Sequence, residues 1–151
     1  MSRDNNMTML GRAGETVVLN WFNRQGISCK VSVDQYDSQK DMIAEGKKIE
    51  VKTQVPFVFK DAFTFKENQL RKCLTSDYVY FVSVPNKTKP HHSDGKVYRI
   101  ESSKMQYSEH RTKDGRKMII VPIKQPAMQM LFVMDYSEAS ILQKYSVSGW
   151  N

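Results

Sequence analysis

Three residues of this chain could together hold a divalent cation and act on a phosphate ester. Glu50 and Lys52 stand two positions apart, and Asp41 opens the short apolar stretch that precedes them. Magnesium prefers oxygen ligands and is commonly held by one or two carboxylates with water and substrate phosphates. The cation polarises a phosphoryl oxygen and lowers the pKa of bound water, while a nearby lysine stabilises the developing charge. These residue types therefore fit metal-dependent phosphodiester hydrolysis.

The spacing of acid and lysine is informative only in its context. An acidic residue followed two positions later by lysine occurs at 45–47, 50–52 and 94–96. The first and third triplets have a central glycine and lie in turn-like sequence. The second lies in a stretch with β alternation, where Glu50, Lys52 and Gln54 share one face and Ile49 and Val51 point to the core. Context therefore selects residues 50–52.

The elements that position these residues follow from hydrophobic periodicity. Helical spacing predicts a first helix over 8–25, followed by a strand over 27–33 and a hairpin with strands at 41–44 and 48–54. Further along, we expect a helix over 65–74, a strand over 77–84, a loop over 86–96, a strand over 97–100, a hairpin over 111–123 and a helix over 137–144. This order predicts an α/β domain with a central mixed β-sheet flanked by helices.

Length, composition and charge narrow the class of protein. The 151 residues, 40% of them hydrophobic and 26% charged, favour one soluble domain over 1–151. The sequence offers neither a long uncharged apolar run nor a secretion signal, so we expect an intracellular, cytoplasmic protein without a membrane partner. Cys29 and Cys73 lack metal or redox spacing and are expected to be reduced, packed thiols. The net charge of +7 favours a polyanionic partner.

These residues resemble the PD-(D/E)XK nuclease superfamily, which has the restriction-endonuclease-like fold. The resemblance runs through residues 11–15 of the first helix, Asp41, the triplet at 50–52 and the helix and strand that follow, or roughly the first 85 residues. It is nearest to small Holliday-junction resolvases and similar phage or archaeal endonucleases. The residue before Asp41 is Lys40 rather than proline, and the last part of the chain matches no pattern of the superfamily.

The resemblance implies a magnesium-dependent DNA endonuclease, with manganese able to substitute. Asp41, Glu50 and the carbonyl of Val51 would hold the metal, with support from Glu15 on the first helix. Lys52 would be the catalytic lysine. Gln54 would contact a phosphate or a water. Because cutting two strands requires two sites, a homodimer is expected.

Other readings of the same residues stay open. Asp34 or Asp37 could replace Asp41 as a ligand, and Glu50 with Lys52 could be a solvated ion pair on a strand face. Glu15 could simply be solvated. The chain could also be a non-catalytic nucleic-acid-binding module of the same fold, or an RNA-directed or exonucleolytic relative.

Several basic clusters could contact nucleic acid, although a charge run is usually only a solvated face. We expect contacts from Arg12 on the first helix and from the middle helix, whose candidates are Lys66, Gln69, Arg71 and Lys72. The other candidates are Lys87, Lys89 and Lys96 in the long loop, and Arg111, Lys113, Arg116 and Lys117 near the later hairpin. His91 and His92 have no partner at ligand spacing, so a metal site is not expected there.

Overall fold

A mixed β-sheet forms the middle layer of the structure, as the sequence predicts. The computed structural model describes residues 3–33, 40–55, 61–85 and 94–146, without the side chains of 3–8, 32–33, 40–41 and 146. These residues form nine strands: β1 (Cys29–Val33), β2 (Lys40–Ala44), β3 (Lys47–Gln54), β4 (Ala62–Lys66), β5 (Tyr78–Ser83), β6 (Lys96–Glu101), β7 (Ser108–Arg111), β8 (Lys117–Pro122) and β9 (Gln129–Val133). Six of them build the central sheet in the order β1-β2-β3-β5-β6-β9. Only β3 and β5 are parallel neighbours in it.

Two helices cover one face of this sheet. Helix α1 (Arg3–Arg24) and helix α3 (Tyr136–Ser146) pack against each other, and the short α2 (Leu70–Leu74) lies elsewhere. Val18, Phe22 and Leu142 are buried from the helical side and join the sheet residues Tyr80 and Val82 in one core. Among the described helices, none has the length and apolar character needed to cross a bilayer.

A second, three-stranded sheet covers the opposite face. Its order is β4-β8-β7, with antiparallel pairing throughout. Phe63 of β4 stacks on Phe81 of β5, with ring centroids 4.6 Å apart, and Ile119 and Val121 of β8 are fully buried in the same core. The mixed α/β class is therefore confirmed. The flanking layers are α1 and α3 on one face and, on the other, the second sheet with the short α2.

The sequence prediction of a helix over 65–74 is wrong in its first half. Residues Ala62–Lys66 form β4, Glu67–Gln69 form a single 3-10 turn, and α2 spans only Leu70–Leu74. The aromatic residues Phe63 and Phe65 are both buried at strand spacing, which accounts for the extended backbone. Burial against β8 outweighs the helical spacing of the few apolar residues that follow.

Other boundaries differ less from the predictions. The hairpin around Asp114-Gly115 is confirmed as β7 and β8, and Gly115 has the positive φ of 87° that such a turn needs. Helix α1 begins at Arg3 rather than at residue 8, and β6 begins within the predicted loop. Strand β9 was not predicted; it is an edge strand of sequence Gln-Met-Leu-Phe-Val, apolar after its first residue, whose residues are exposed or half-buried. Residues 86–93 of the expected loop lie outside the described residues.

Helix α1 approaches β3 at a glycine. A Cβ atom added to Gly14 would lie 2.8 Å from the Cβ atom of Thr53 and would overlap the Thr53 hydroxyl, whereas one added to Gly11 would meet nothing within 4 Å. Thr53 shares the face of β3 that carries Ile49 and Val51. Helix α1 therefore packs on the side of β3 opposite to Glu50 and Lys52.

We predict that Gly14→Ala lowers the free energy of unfolding by about 1–3 kcal/mol, because the added methyl group overpacks the helix–strand contact. The matched control is Gly11→Ala, three residues earlier in the same helix, which should stabilise the protein by about 0.5–1 kcal/mol. Urea denaturation followed by circular dichroism measures both values. Equal effects of the two substitutions would contradict the close approach.

Candidate active site

Strand β3 brings the predicted polar residues together on one face, but that face is not solvated. Glu50, Lys52 and Gln54 stand beside Val79, Phe81 and Ser83 of the parallel strand β5, and they share the face covered by the second sheet. Glu50 is only 7% exposed. The reading of Glu50 and Lys52 as a solvated ion pair is therefore wrong. A buried carboxylate needs positive or donating partners to offset its lost hydration.

Two lysines surround the Glu50 carboxylate. The Nζ of Lys52 lies 3.4 Å from Glu50 Oε2, and the Nζ of Lys72, on α2, lies 3.9 Å from the same oxygen. Lys52 also donates a hydrogen bond of 2.7 Å to Gln69 Oε1 and lies 5.8 Å from the centroid of the Phe65 ring. The Lys52 ammonium is thus fixed by contacts with Glu50, Gln69 and Phe65.

Gln54 is anchored further along the same face. Its Oε1 accepts a hydrogen bond of 2.8 Å from the backbone N–H of Thr64, and its Nε2 donates to the carbonyl of Val55 at 3.3 Å. These bonds tie the end of β3 to β4. In this conformation, the Gln54 amide connects the two sheets, while the sequence assigned it to a phosphate or a water.

The Glu50 carboxylate is incompletely satisfied. Within the described part of the chain, its Oε2 is buried and accepts no hydrogen bond, although two ammonium groups lie within 4 Å of it. Buried polar atoms without a hydrogen bond are uncommon in folded proteins, and each points to strain, function or an absent ion or water. A cation bound at Oε2 would satisfy this atom.

The sheet opens beside Glu50. Strand β2 pairs with β3 only from Met42↔Ile49 to Ala44↔Lys47, although β2 continues along β1 as far as Lys40. Asp41 is the first residue of β2 beyond the pairing, at the position that would oppose Glu50 if the register continued. The Asp41 side chain lies outside the described residues, as do the alternative ligands Asp34 and Asp37.

The carbonyl of Val51 points toward this opening. The carbonyls of Lys48 and Gln54 accept hydrogen bonds from Asp77 N and Val84 N, so even-numbered carbonyls of β3 face β5. Successive carbonyls along a strand point to opposite edges of that strand. The Val51 carbonyl therefore points to the edge of β3 that faces β2, beyond the Met42↔Ile49 pair where the pairing ends.

The described residues provide some of the oxygen ligands that a divalent cation needs. Glu50 Oε2 and the carbonyl of Val51 provide oxygen donors, and the backbone of Asp41 lies at the neighbouring position of β2. No three described His, Cys, Asp or Glu side chains form a group that could hold a metal. Glu15 follows Gly14 on α1, which packs on the side of β3 opposite to Glu50, and its supporting role at a metal stays a prediction.

The described basic residues that were predicted to contact nucleic acid lie in three places: the end of β4 with α2, the groove between α1 and α3, and the later hairpin. Lys66 and Arg71 are exposed at the end of β4 and on α2, next to the Glu50 face, and Gln69 between them is bound to Lys52. Arg12 instead lines a groove of about 280 Å³ between α1 and α3. On the later hairpin, Arg116 pairs with Asp114 and Lys117 with Glu67 and Glu109. Lys87, Lys89, His91 and His92 lie outside the described residues.

The crossover segment between β3 and β5 contributes to the site in a way that the sequence pattern does not predict. Lys72 and Gln69 were assigned to nucleic acid, yet both reach the residues of β3. The parallel arrangement could have predicted this contact. Two parallel neighbouring strands need a connection that crosses one face of the sheet, so a polar face on β3 requires polar partners in that connection.

Comparison with protein-family models, curated proteins and solved structures finds no match for this chain.

Cys73 lies in the same layer but is not a nucleophile. Burial raises the pKa of its thiol to about 12; Lys52 and Lys72 lower the pKa and Glu50 raises it, with smaller effects than burial. Thiolate forms only as the pH rises through this pKa, and the thiolate is the reactive species. At neutral pH the thiol therefore stays protonated and packs as a small apolar group.

We predict that native protein at pH 8 leaves Cys73 unmodified by Ellman's reagent, because its pKa of about 12 and its burial both suppress reaction. The half-buried Cys29 provides the accessible thiol. In Cys29→Ser, absorbance at native conditions should stay at background and rise by one equivalent in denaturant. Fast labelling of native Cys29→Ser would refute the assignment.

Proposed function

We propose that the protein is a divalent-metal-dependent endonuclease that hydrolyses DNA phosphodiester bonds, on a domain of the restriction-endonuclease-like class. The observation that carries the proposal is the Glu50 carboxylate. It is buried, lacks a hydrogen bond on Oε2, lies beside an anchored lysine and stands where β2 leaves β3. Glu138 Oε2, with Arg24 at 3.8 Å, also lacks a hydrogen bond, so the support comes from the combination at Glu50 with Lys52 and with the end of the β2 pairing.

The roles of the residues follow from their positions. Glu50 and the Val51 carbonyl would hold magnesium or manganese together with Asp41, and the ion would supply polarisation of the phosphoryl oxygen and a more acidic water. Lys52, fixed by Gln69, presents its ammonium beside the ligand Glu50, where it can orient the attacking water or stabilise charge on the phosphate. Gln54 holds the second sheet in place over these residues.

The net positive charge of the chain and its exposed basic residues support DNA as the substrate. The chain has a net charge of +7, and Lys66 and Arg71 are exposed on the segment that also carries Gln69 and Lys72. Neutralisation of phosphates by such residues releases counterions and gives salt-dependent affinity. A branched or junction substrate and a homodimer with two sites belong to the same proposal, since symmetric cleavage requires paired centres.

We predict that Glu50→Gln and Lys52→Met each reduce cleavage of DNA by about 100-fold or more, because a ligand or a charge-stabilising group is lost. DNA affinity, measured by fluorescence anisotropy without metal, should change little. A panel of linear, nicked, flapped, four-way and RNA substrates identifies the preferred substrate in the same assay.

The chain offers a matched control for this pair. Glu101 and Lys104 form an exposed ion pair with an Oε2–Nζ distance of 3.6 Å. Glu101→Gln and Lys104→Met make the same chemical changes in an exposed ion pair that does not contact Glu50 or Lys52 among the described residues, and they should cleave like wild type. Activity of purified Glu50→Gln equal to that of Glu101→Gln would refute the assignment.

A second candidate function is a non-catalytic nucleic-acid-binding module. The observation that favours it is the chain of contacts from Gln69 through Lys52 and Glu50 to Lys72, which partly neutralises the carboxylate without a metal. Titration with manganese separates the two functions. Wild-type protein that neither binds the ion nor cleaves any substrate of the panel would favour the binding module.

A further inference from the structure

The two lysines beside Glu50 are held very differently. Lys52 donates a hydrogen bond of 2.7 Å to Gln69 Oε1 and packs near the Phe65 ring, and its side chain is 16% exposed. The Lys72 side chain is 27% exposed, and its ammonium lies 3.9 Å from Glu50 Oε2, beyond hydrogen-bonding distance. Lys52 is thus anchored by a strong contact, whereas Lys72 is held near Glu50 mainly by charge.

Both lysines approach the same oxygen, Glu50 Oε2, which is buried and accepts no hydrogen bond. A divalent cation bound to this oxygen would be repelled by an ammonium at 3.9 Å, and the repulsion is poorly screened in a buried place. Release of one of the two ammonium groups would relieve this repulsion when the cation binds. The less buried and less firmly bonded group is that of Lys72.

We propose that Lys72 is a resident cation of the metal-free protein, which neutralises Glu50 and leaves when a divalent ion binds. The proposal rests on the function proposed above, because it requires that Glu50 be a metal ligand. On leaving, the Lys72 ammonium moves from α2 toward solvent, on the surface that carries Lys66 and Arg71. There it is free to contact a phosphate of the substrate, so metal loading and phosphate binding are coupled through one side chain.

The first test measures metal affinity rather than activity. Mn²⁺ binding, followed by electron paramagnetic resonance of the free ion, should be roughly five- to tenfold tighter in Lys72→Met than in wild type, at the lower end of usual coupling between sites. Lys72→Arg, which keeps the charge, should bind like wild type. The surface control Lys104→Met, with the same loss of charge, should also bind like wild type.

The second test follows the lysine itself. Partial acetylation with mass spectrometric quantification should show faster labelling of Lys72 as Mg²⁺ is added, with unchanged labelling of Lys104. Anchored Lys52 should stay protected. In Glu50→Gln, Lys72 should label fast with or without Mg²⁺, because its charged partner is gone.

The outcomes separate the inference from the proposed function. Glu50-dependent Mn²⁺ binding that is no tighter in Lys72→Met overturns the inference and leaves the proposed function intact. Labelling of Lys72 that ignores Mg²⁺ in a metal-binding protein overturns it as well. If no variant binds Mn²⁺, the proposed function and the inference both fail. Tighter binding in Lys72→Met alone, with Mg²⁺-dependent labelling of Lys72, establishes the displacement.

Discussion

The burial of one carboxylate between two β-sheets is the constraint on which the rest of the structure depends. Glu50 stands on a strand whose neighbour β5 contributes Val79 and Phe81 to an apolar layer, so its charge loses most of its hydration. Such a charge is tolerated only when positive groups come to it. The crossover from β3 to β5 provides one of them, Lys72 of α2. It also holds the other, Lys52 of β3, through Gln69 of the 3-10 turn and Phe65 of β4.

The two edges of β3 serve opposite purposes. Along β5 the pairing is continuous from Ile49 to Gln54, and the carbonyl of Lys48 and the N–H of Asp77 extend it, so the backbone that carries Glu50 and Lys52 is fixed. Along β2 the pairing stops at Met42, beside Glu50. A rigid edge positions side chains to the accuracy that catalysis needs, while an open edge leaves a carbonyl and an adjacent strand available to a ligand. This asymmetry favours the nuclease proposal.

Local patterns in the sequence were sufficient to predict five of the six strands of the central sheet, all but β9, and the shared face of Glu50, Lys52 and Gln54. Period-two alternation defined β3, and the apolar run at 77–84 defined β5. The second sheet could not be predicted in the same way. Phe65 reads as the start of a helix until β8 is known to pair with its strand, and that pairing spans more than 50 residues. The burial of Glu50 and the approach of Lys72 depend on that layer, so they too escaped prediction.

The same layer also argues against a purely structural role for the polar residues. Apolar side chains at positions 50 and 52 would extend the core formed by Phe63, Phe81 and Cys73 and would avoid the cost of desolvating an ion pair. Around them, local pattern and packing agree, since Ile49 and Val79 are buried where alternation predicts. Polar residues in a buried layer, where packing favours apolar ones, are expected at positions that function requires. The departure here consists of an acid, a lysine and an incompletely satisfied oxygen at the point where two strands separate.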